Sequence, residues 1–287
     1  MSEIQFREAI LQSGMMPPEV ITPGKWHKFP GVGKANGNKA GWCRLFDDCT
    51  GGVFGCYATG LDEVWQADRG RKWTAEEQAT FRVKVEKDRK EREAEEAKRK
   101  AEAREAAALI WSNAYPAEKH GYLERKGIQA HGVKTIHADT AHRDCPSLSD
   151  ELAGLLLVIP MRDESGLLHS LQFIDEAGEK RFLSGGKKKG CYYSIGKPDG
   201  VLCIAEGFAT AASIHEATGY AVAVAFDCGN LKPVAEALRA KLPDVQIVIC
   251  ADDDNATEGN PGITKAKEAA AAIGGVVAVP DFGEARP

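Results

Sequence analysis

The last third of the chain alternates apolar segments with helical ones, and this alternation constrains the fold more than any other feature of the sequence. Continuous apolar runs rich in β-branched residues are typical of strands buried on both faces of a parallel sheet. Helical segments separate four such runs, which are Val201–Ala205, Tyr220–Phe226, Val245–Cys250 and Val276–Pro280. Because strands joined through helices form right-handed parallel sheets, we predict a doubly wound α/β domain over residues 201–287.

Acidic residues follow three of these predicted strands. Glu206 follows the first, Asp252 and Asp254 follow the third, and Asp281 follows the last. The carboxyl ends of parallel strands share one edge of the sheet, where α/β proteins bind ligands, so these carboxylates are expected to converge. Neighbouring carboxylates repel one another unless a cation lies among them, and oxygen ligands select Mg²⁺ or Mn²⁺. We therefore predict a metal site at these four residues. The alternative is a solvated acidic loop in which Asp254 or Asn255 caps the next helix.

The middle segment, residues 114–200, contains the strongest local concentration of positive charge. A short helix is predicted to end at Gly127, and two strands are predicted at 155–160 and 168–174. The stretch from Lys180 to Gly190 that follows carries five cations and several glycines. Glycines let backbone N–H groups wrap a phosphate, so we predict a flexible loop that contacts phosphate or nucleic acid. A solvated hairpin loop is the alternative.

Residues 1–73 are rich in glycine, proline and aromatic residues, which predicts a small, zinc-ribbon-like antiparallel β unit. Trp26, Lys28 and Trp42 belong to a set of aromatic and basic side chains suited to stacking single-stranded bases and contacting phosphates. The alternative is that the aromatic residues form the core of the unit. Four side chains are candidate zinc ligands, namely His27, Cys43, Cys49 and Cys56. No two cysteines have the C-x2-C spacing of zinc ribbons, so zinc is not expected.

Residues 74–113 have the composition of a long, solvated helix. Thr74 and Glu77 fit a capping box at its start, and alanine and charged residues then dominate without glycine or proline. We interpret this segment as a connector. The predicted division is thus a β-rich unit over 1–73, a helical connector over 74–113, a mixed α/β subdomain over 114–200 and an α/β domain over 201–287.

Composition limits the partners and the location. The 287 residues have a formal net charge of −5, so any nucleic-acid surface must be local. No apolar run is long enough to span a membrane, and the N-terminus lacks the pattern of a signal peptide. The eight cysteines are scattered, and some lie inside predicted buried strands, which is typical of reduced thiols. These features predict a cytoplasmic protein without a membrane partner.

The acidic strand ends resemble those of a known family. A strand ending in Glu-Gly, followed about 45 residues later by Asp-x-Asp, is similar to the Toprim domain of bacterial-type primases, topoisomerases and some nucleases. Four segments look most like the primases of plasmids, satellite phages and prophages, and these are Glu206–Ala211, Gly229–Leu231, Asp252–Asn255 and Val279–Gly283. The Tyr122–Gly127 segment, the strand to Asp163 and the basic loop resemble the subdomain before Toprim in those primases. The N-terminal unit shows a weaker similarity.

The resemblance implies an α+β multidomain DNA primase that makes RNA primers on a single-stranded DNA template from ribonucleoside triphosphates. It implies that Glu206 is the catalytic glutamate and that Asp252 and Asp254 bind the metal. The side chains implied to contact template or nucleotide are Arg181, Lys187, Lys188 and Lys189. Thr210 replaces an acidic residue of the replicative primases. The similarity also implies that the chain is a segment of a larger primase-helicase, or that a replicative helicase is its partner.

Three other functions are compatible with the sequence. A Toprim nuclease would cleave nucleic acid with metal alone, and Thr210 disfavours it because such nucleases often carry extra acids near the glutamate. A non-catalytic single-strand-binding replication adaptor would not need mutually repelling carboxylates. A domain phosphorylated on an aspartate would leave Glu206 and the basic loop unexplained.

Overall fold

The computed structural model describes residues 2–35, 37–149, 151–253, 257 and 259–280. The chain divides into two compact units, Met1–Glu95 and Glu96–Pro287. This division falls inside a long helix, whereas the four-part division expected from the sequence stays a prediction. Helices and strands are numbered below in chain order.

The first unit is built on a small antiparallel sheet with strand order β1-β2-β3-β4. Its core includes Phe6, Phe29 and Phe54, so aromatic packing supplies much of the apolar interior. At Gly55 an added Cβ would overlap the Leu61 carbonyl oxygen and the Trp42 ring, which explains why this strand carries glycine. The elements are α1 (Ser2–Gln12), β1 (His27–Phe29), β2 (Gly41–Leu45), β3 (Gly51–Cys56) and β4 (Leu61–Gln66). The predicted small antiparallel β unit is confirmed.

Helix α2 (Ala75–Asn113) begins at the predicted capping box. The Thr74 hydroxyl accepts a hydrogen bond from the Glu77 N–H at 3.2 Å, and the Glu77 carboxylate accepts one from the Thr74 N–H at 2.9 Å. Hydrogen bonds from Arg71 and from the Thr74 N–H lower the pKa of Glu77 to about 2. Along the helix, ion pairs link residues three or four positions apart. Neither this helix nor any other in the described part of the chain has the length and apolar character needed to cross a membrane.

The first half of the second unit forms an antiparallel sheet with strand order β5-β6-β7-β8-β9. One face of its central strands packs on Ala107 and Ile110 of α2, and the other face joins the core of the domain that follows. The predicted helix ending at Gly127 and the two predicted strands are present. The elements are β5 (Tyr115–Pro116), α3 (Gly121–Lys126), β6 (Lys134–His137), α4 (Ala138–Asp144), β7 (Leu155–Arg162), β8 (Leu168–Ile174) and β9 (Lys180–Phe182).

The rest of the second unit is a five-stranded sheet with strand order β10-β12-β11-β13-β14. Strands β11 to β14 pair in parallel, as predicted. The edge strand β10, which lies before the predicted domain of residues 201–287, pairs antiparallel with β12 and adds a fifth strand to this parallel sheet. The elements are β10 (Tyr193–Ile195), β11 (Val201–Ala205), α5 (Phe208–Thr218), β12 (Ala221–Val224), α6 (Cys228–Lys241), β13 (Gln246–Cys250), α7 (Pro261–Ile273) and β14 (Val276–Ala278).

Candidate active site

Two of the predicted acidic residues lie at the ends of adjacent strands. Ala205 pairs with Cys250 in the parallel register of β11 and β13, so Glu206 and Asp252 leave neighbouring strands at the same edge. Both are half-buried, and one carboxylate oxygen of Glu206 is fully buried. Asp253 accepts a hydrogen bond from the Asn260 amide at 2.8 Å, and Asn260 is the residue that caps α7. Glu206 and Asp252 therefore follow neighbouring strands at one edge of the sheet, and their binding of a common metal ion stays a prediction.

The other two predicted metal ligands, Asp254 and Asp281, lie outside the described residues, as does Asn255. Among the residues that are described, no group of three or more histidine, cysteine, aspartate or glutamate side chains is arranged to hold a metal ion. Mg²⁺ usually keeps several waters and binds through one or two carboxylates together with substrate phosphates. The donor set of Glu206 and Asp252 fits that mode of binding.

Beside Asp252 a cavity of about 310 Å³ opens between the two halves of the second unit. Three cations, Arg125, Lys126 and Lys180, line it. Burial lowers the pKa of Lys180, the charge of Lys126 lowers it further, and Asp252 acts in the opposite direction. The remaining lining residues are Tyr122, Ala177, Gly178, Gly207, Ala209 and Thr210. Cations crowded in a partly buried cavity favour an anionic ligand such as a phosphate.

The Glu-Gly turn leaves open space at this cavity. A Cβ added at Gly207 would be 3.8 Å from the Lys180 ammonium and from the Thr210 hydroxyl, which is ordinary contact. Gly207 is also the N-cap of α5, and no side chain caps that helix at this position. The first N–H groups of α5 and the three cations therefore surround one space in which an anion can bind.

Neighbouring residues of β9 point to opposite sides of the sheet. Lys180 and Phe182 pair with Ile174 and Gln172 of β8, whereas Arg181 pairs with Phe173. Ile174 belongs to the core shared with the second sheet, and Phe173 belongs to the core beneath α2. Because directly paired residues share a face, Lys180 and Phe182 face the second sheet and Arg181 does not.

Arg181 is the residue of this strand that the resemblance selects. Its guanidinium instead forms ion pairs with Glu151 at 2.9 Å and Glu179 at 3.3 Å, away from the cavity. Arg125, Lys126 and Lys180 were not selected from the sequence as site residues. Arg125 and Lys126 lie in the Tyr122–Gly127 segment that resembles the primase subdomain, but a pair of cations before a helix-ending glycine is common on exposed helices and does not by itself indicate a site.

The basic loop is held more firmly than its glycine and lysine content suggests. Lys188 forms an ion pair with Asp227, the N-cap of α6, and its ammonium lies 5.2 Å from the centre of the Phe182 ring. The Gly190 N–H donates to the Asn230 side chain at 2.8 Å. Lys189 is exposed and Lys187 is half-buried. The loop is therefore anchored at Gly190, while Lys188 adds a partly exposed ion pair, and contact of its lysines with nucleic acid stays a prediction.

The predicted aromatic surface of the first unit separates into an exposed and a buried part. Trp26 is 38% exposed and Lys28 is also exposed, with the Arg44 guanidinium 5.5 Å from the centre of the Trp26 ring. Trp42 is only 3% exposed, and Arg92 covers its ring at 4.0 Å. Trp26 and Lys28 are thus accessible to a ligand, whereas Trp42 is part of the interior.

The candidate zinc ligands lie within the same sheet. His27 and Cys43 are paired residues of β1 and β2, and the His27 ring accepts a hydrogen bond from the Thr22 N–H at 3.0 Å. Cys43 and Cys56 are buried. Burial raises the pKa of Cys43 to about 12, so this thiol stays protonated at neutral pH. This environment is that of a structural core thiol.

Comparison with known families decides the nature of the second sheet. Residues 200–279 match the Toprim domain family. This part of the chain is a Toprim domain. The predicted resemblance to Toprim-domain primases is confirmed by two relatives from Escherichia coli, both named DNA primase TraC. They are 35% and 33% identical to this chain over 304 and 299 aligned positions.

The alignments with the TraC primases cover 98% of this chain but only 26% and 20% of the relatives. The chain thus spans only about a fifth to a quarter of the length of the relatives it matches. Two solved structures show weaker similarity. One is the primase fragment of the bacteriophage T7 primase-helicase, with a TM-score of 0.42, 13% identity and coverage of 89% of this chain and 90% of that one. The other is an Aquifex aeolicus primase containing zinc-binding and RNA polymerase domains, with a TM-score of 0.42, 14% identity and coverage of 97% and 78%.

Proposed function

We propose that this chain carries the active site of a DNA primase, which joins ribonucleoside triphosphates into a short RNA primer on single-stranded DNA. One observation carries the proposal. Glu206 and Asp252 lie at adjacent strand ends of the Toprim domain, and Asp252 lines a cavity with three cations. Carboxylates beside a cationic cavity suit a reaction that binds a metal ion and a triphosphate together. Similarity to the TraC primases supports the same reaction.

Glu206 and Asp252 would hold the divalent cation, Mg²⁺ or Mn²⁺, and we propose Asp254 and Asp281 as further ligands. When bound, this ion stabilises negative charge on the reacting phosphate. The residues themselves account for the rest of the chemistry. Arg125, Lys126 and Lys180 bind phosphate oxygens, and the N–H groups at the start of α5 can donate to the same oxygens.

In the proposed reaction the 3′-hydroxyl of one nucleotide attacks the α-phosphorus of the next. A phosphorus–oxygen bond forms, the bond to the β-phosphate oxygen breaks, and pyrophosphate leaves with its negative charge. The hydroxyl proton passes to the Glu206 carboxylate, directly or through a water. The cations of the cavity stabilise the departing pyrophosphate by charge-assisted hydrogen bonds.

We propose that the template is bound by Trp26 and Lys28 of the first unit and by Lys187, Lys188 and Lys189 of the basic loop. Exposed aromatic rings beside cations bind single strands by stacking and by phosphate contact. A replicative helicase that supplies the single-stranded template is the expected protein partner. A reaction that uses template and nucleotides in this way is expected in the cytoplasm.

The decisive experiment is primer synthesis from labelled ribonucleoside triphosphates on a single-stranded template, with Mg²⁺ or Mn²⁺. We expect Asp252→Asn and Glu206→Gln each to lower the rate at least about 100-fold, because each removes a charge that acts in the transition state. Binding of single-stranded DNA should change less than about twofold, since the proposed template contacts are elsewhere. Asp244→Asn is the matched control, because Asp244 is an exposed aspartate on the same domain.

Unchanged primer synthesis in Asp252→Asn would contradict the proposal. The same gel separates the other functions. Metal-dependent cleavage of the template without nucleotides would indicate a nuclease, and Thr210 in the cavity gives no extra acid for that reaction. Binding of single-stranded DNA with neither synthesis nor cleavage would indicate a non-catalytic adaptor.

A further inference from the structure

Strand β9 runs across the carboxyl edge of the Toprim sheet, and two of its side chains face that edge. Lys180 contacts the cavity at the ends of β11 and β13, beside Gly207 and Asp252. Phe182, two residues farther along the same face, contacts Phe226 after the end of β12, with ring centres 6.2 Å apart and planes at 80°. Strand β9 therefore places the Lys180 ammonium at the ends of β11 and β13, and the Phe182 ring near the end of β12.

The Phe182 ring is accessible from solvent. Phe182 is 38% exposed, and the Lys188 ammonium lies over its ring, 5.2 Å from the ring centre. The Lys188 side chain is itself 43% exposed, and its partner Asp227 is 33% exposed. Ion pairs with that much exposure to water hold their side chains weakly, so Lys188 can move aside at little cost.

Phe226, which supports Phe182, has an unusual backbone. Its φ of 74° lies in the left-handed region, which is a genuine outlier for a bulky residue. The Phe226 N–H donates to the Glu206 carbonyl oxygen at 2.7 Å, and the preceding Ala225 N–H donates to Ala205 at 2.8 Å. Backbone strain of this kind clusters at functional sites. Here the strained residue connects the aromatic pair directly to the backbone of the catalytic glutamate.

We propose that Phe182 is the platform on which the base of the incoming ribonucleoside triphosphate stacks. Lys180 and Phe182 are two residues apart along one strand, which is about 6.6 Å. The ribose of a single nucleotide can bridge that separation, with its phosphates in the cation-lined cavity and its base on the ring. The inference rests on the proposed function, because it takes the ligand of the cavity to be a triphosphate. Lys188 moves off the ring as the base arrives, because its ion pair with Asp227 is partly exposed to water.

The test compares a ligand that has a base with one that lacks it. Phe182→Leu keeps apolar contact with Phe226 but removes stacking, and Phe182→Tyr retains stacking. Binding of a ribonucleoside triphosphate and of inorganic tripolyphosphate is measured by calorimetry at equal free Mg²⁺. Phe182→Leu is expected to weaken nucleotide binding about 10-fold, in line with base–aromatic stacking, and to leave tripolyphosphate binding within about twofold. Phe182→Tyr should bind both ligands as the wild type does.

Tyr220→Leu is the matched control, because Tyr220 is another exposed aromatic residue, placed after the opposite end of α5. Unchanged nucleotide binding in Phe182→Leu would overturn the inference. An equal loss for nucleotide and tripolyphosphate would overturn it too, since that result indicates a structural role. A loss confined to single-stranded oligonucleotides would instead assign the ring to the template.

The same measurements separate this inference from the proposed function. A wild-type protein that binds nucleotide but makes no primer contradicts the proposed function, and the Phe182 comparison still decides the stacking. A wild-type protein that binds neither ligand contradicts both. A wild-type protein that makes primers, with Phe182→Leu equally active at low nucleotide concentration, contradicts the stacking alone.

Discussion

Lys180 and Arg181 are adjacent in the chain but belong to different environments. The Lys180 ammonium faces the cavity beside Asp252, whereas the Arg181 guanidinium is paired with Glu151 and Glu179. We expect Lys180→Ala to raise the KM for nucleotide at least about 10-fold, because a charged hydrogen bond to phosphate contributes about 1.5–3 kcal/mol. Arg181→Ala should raise it less than about twofold. Nucleotide titrations of primer synthesis measure both values.

The two variants control each other, since each removes one cation from the same strand. An effect of Arg181→Ala equal to that of Lys180→Ala would show that the charge of the segment matters and its face does not. Measuring the KM of both variants at higher salt concentration would also distinguish a general effect of charge from a direct phosphate contact. Long-range attraction is screened at about 10 Å in 0.1 M salt, whereas a direct phosphate contact is screened much less.

At the scale of single residues, the sequence predicts the positions of the acidic site residues better than those of the basic ones. Glu206 and Asp252 follow apolar runs whose strand character is unambiguous, so their convergence follows from the rule for parallel sheets. Which residue of Lys180–Phe182 faces the cavity depends on the pairing of β9 with β8, and that pairing is set by the turn between them. A shift of one residue would exchange Lys180 with Arg181. Five cations in one stretch therefore do not reveal which of them serves the site.

Helix α2 shows how a local signal fixes the start of an element. Its capping box can be recognised in the sequence because both partners, Thr74 and Glu77, lie within four consecutive residues. Each side chain accepts a hydrogen bond from the backbone N–H of the other residue. Strands β9 and β10 contain three residues each, which is too short for any periodicity. Both were missed, and they are the two strands that connect the middle segment to the Toprim sheet edge.

The capping box leads to a prediction of pH dependence. The folded-state pKa of Glu77 is lowered from 4.5 to about 2, so its contribution to stability is fully present above about pH 4.5. That contribution is lost as the pH falls through about 2. We expect the difference in thermal midpoint between wild type and Glu77→Gln to be constant near neutral pH and to shrink between these values. Circular dichroism melts across that range measure it.

Glu76→Gln is the control for this series. Glu76 lies in the same first turn of the helix, but the capping-box hydrogen bonds are made by Glu77. Its difference from wild type should be small throughout. A Glu77→Gln difference that persists unchanged at pH 2 would show that the carboxylate charge is not what stabilises the helix start.

At the scale of the whole molecule, each unit has its own core and the cavity belongs to one unit. All residues that line the cavity lie in Glu96–Pro287. Gly55→Ala should destabilise the first unit by several kcal/mol, because the new methyl group overlaps a backbone carbonyl and an indole ring. Nucleotide binding should nevertheless stay within about twofold of wild type. Calorimetric unfolding and nucleotide titration test the two parts.

Gly121→Ala is the control in the second unit. A Cβ at this helical position would approach no atom closer than 3.7 Å, and alanine favours helices over glycine by about 1 kcal/mol. It should therefore be neutral or slightly stabilising. Loss of nucleotide binding in Gly55→Ala, at a temperature where the second unit is folded, would show that the nucleotide site depends on the first unit.

The antiparallel strand β10 determines at which residue a separately expressed Toprim domain of this protein must begin. The family match begins at residue 200, yet β10 precedes that point and protects the apolar strand β12, which is buried throughout. Excision at residue 201 would leave β12 as an open, apolar edge, and such edges recruit other chains into aggregates. A transplanted or separately expressed Toprim domain from this protein must therefore begin before Tyr193. The protection of the domain against self-association is encoded upstream of the domain itself.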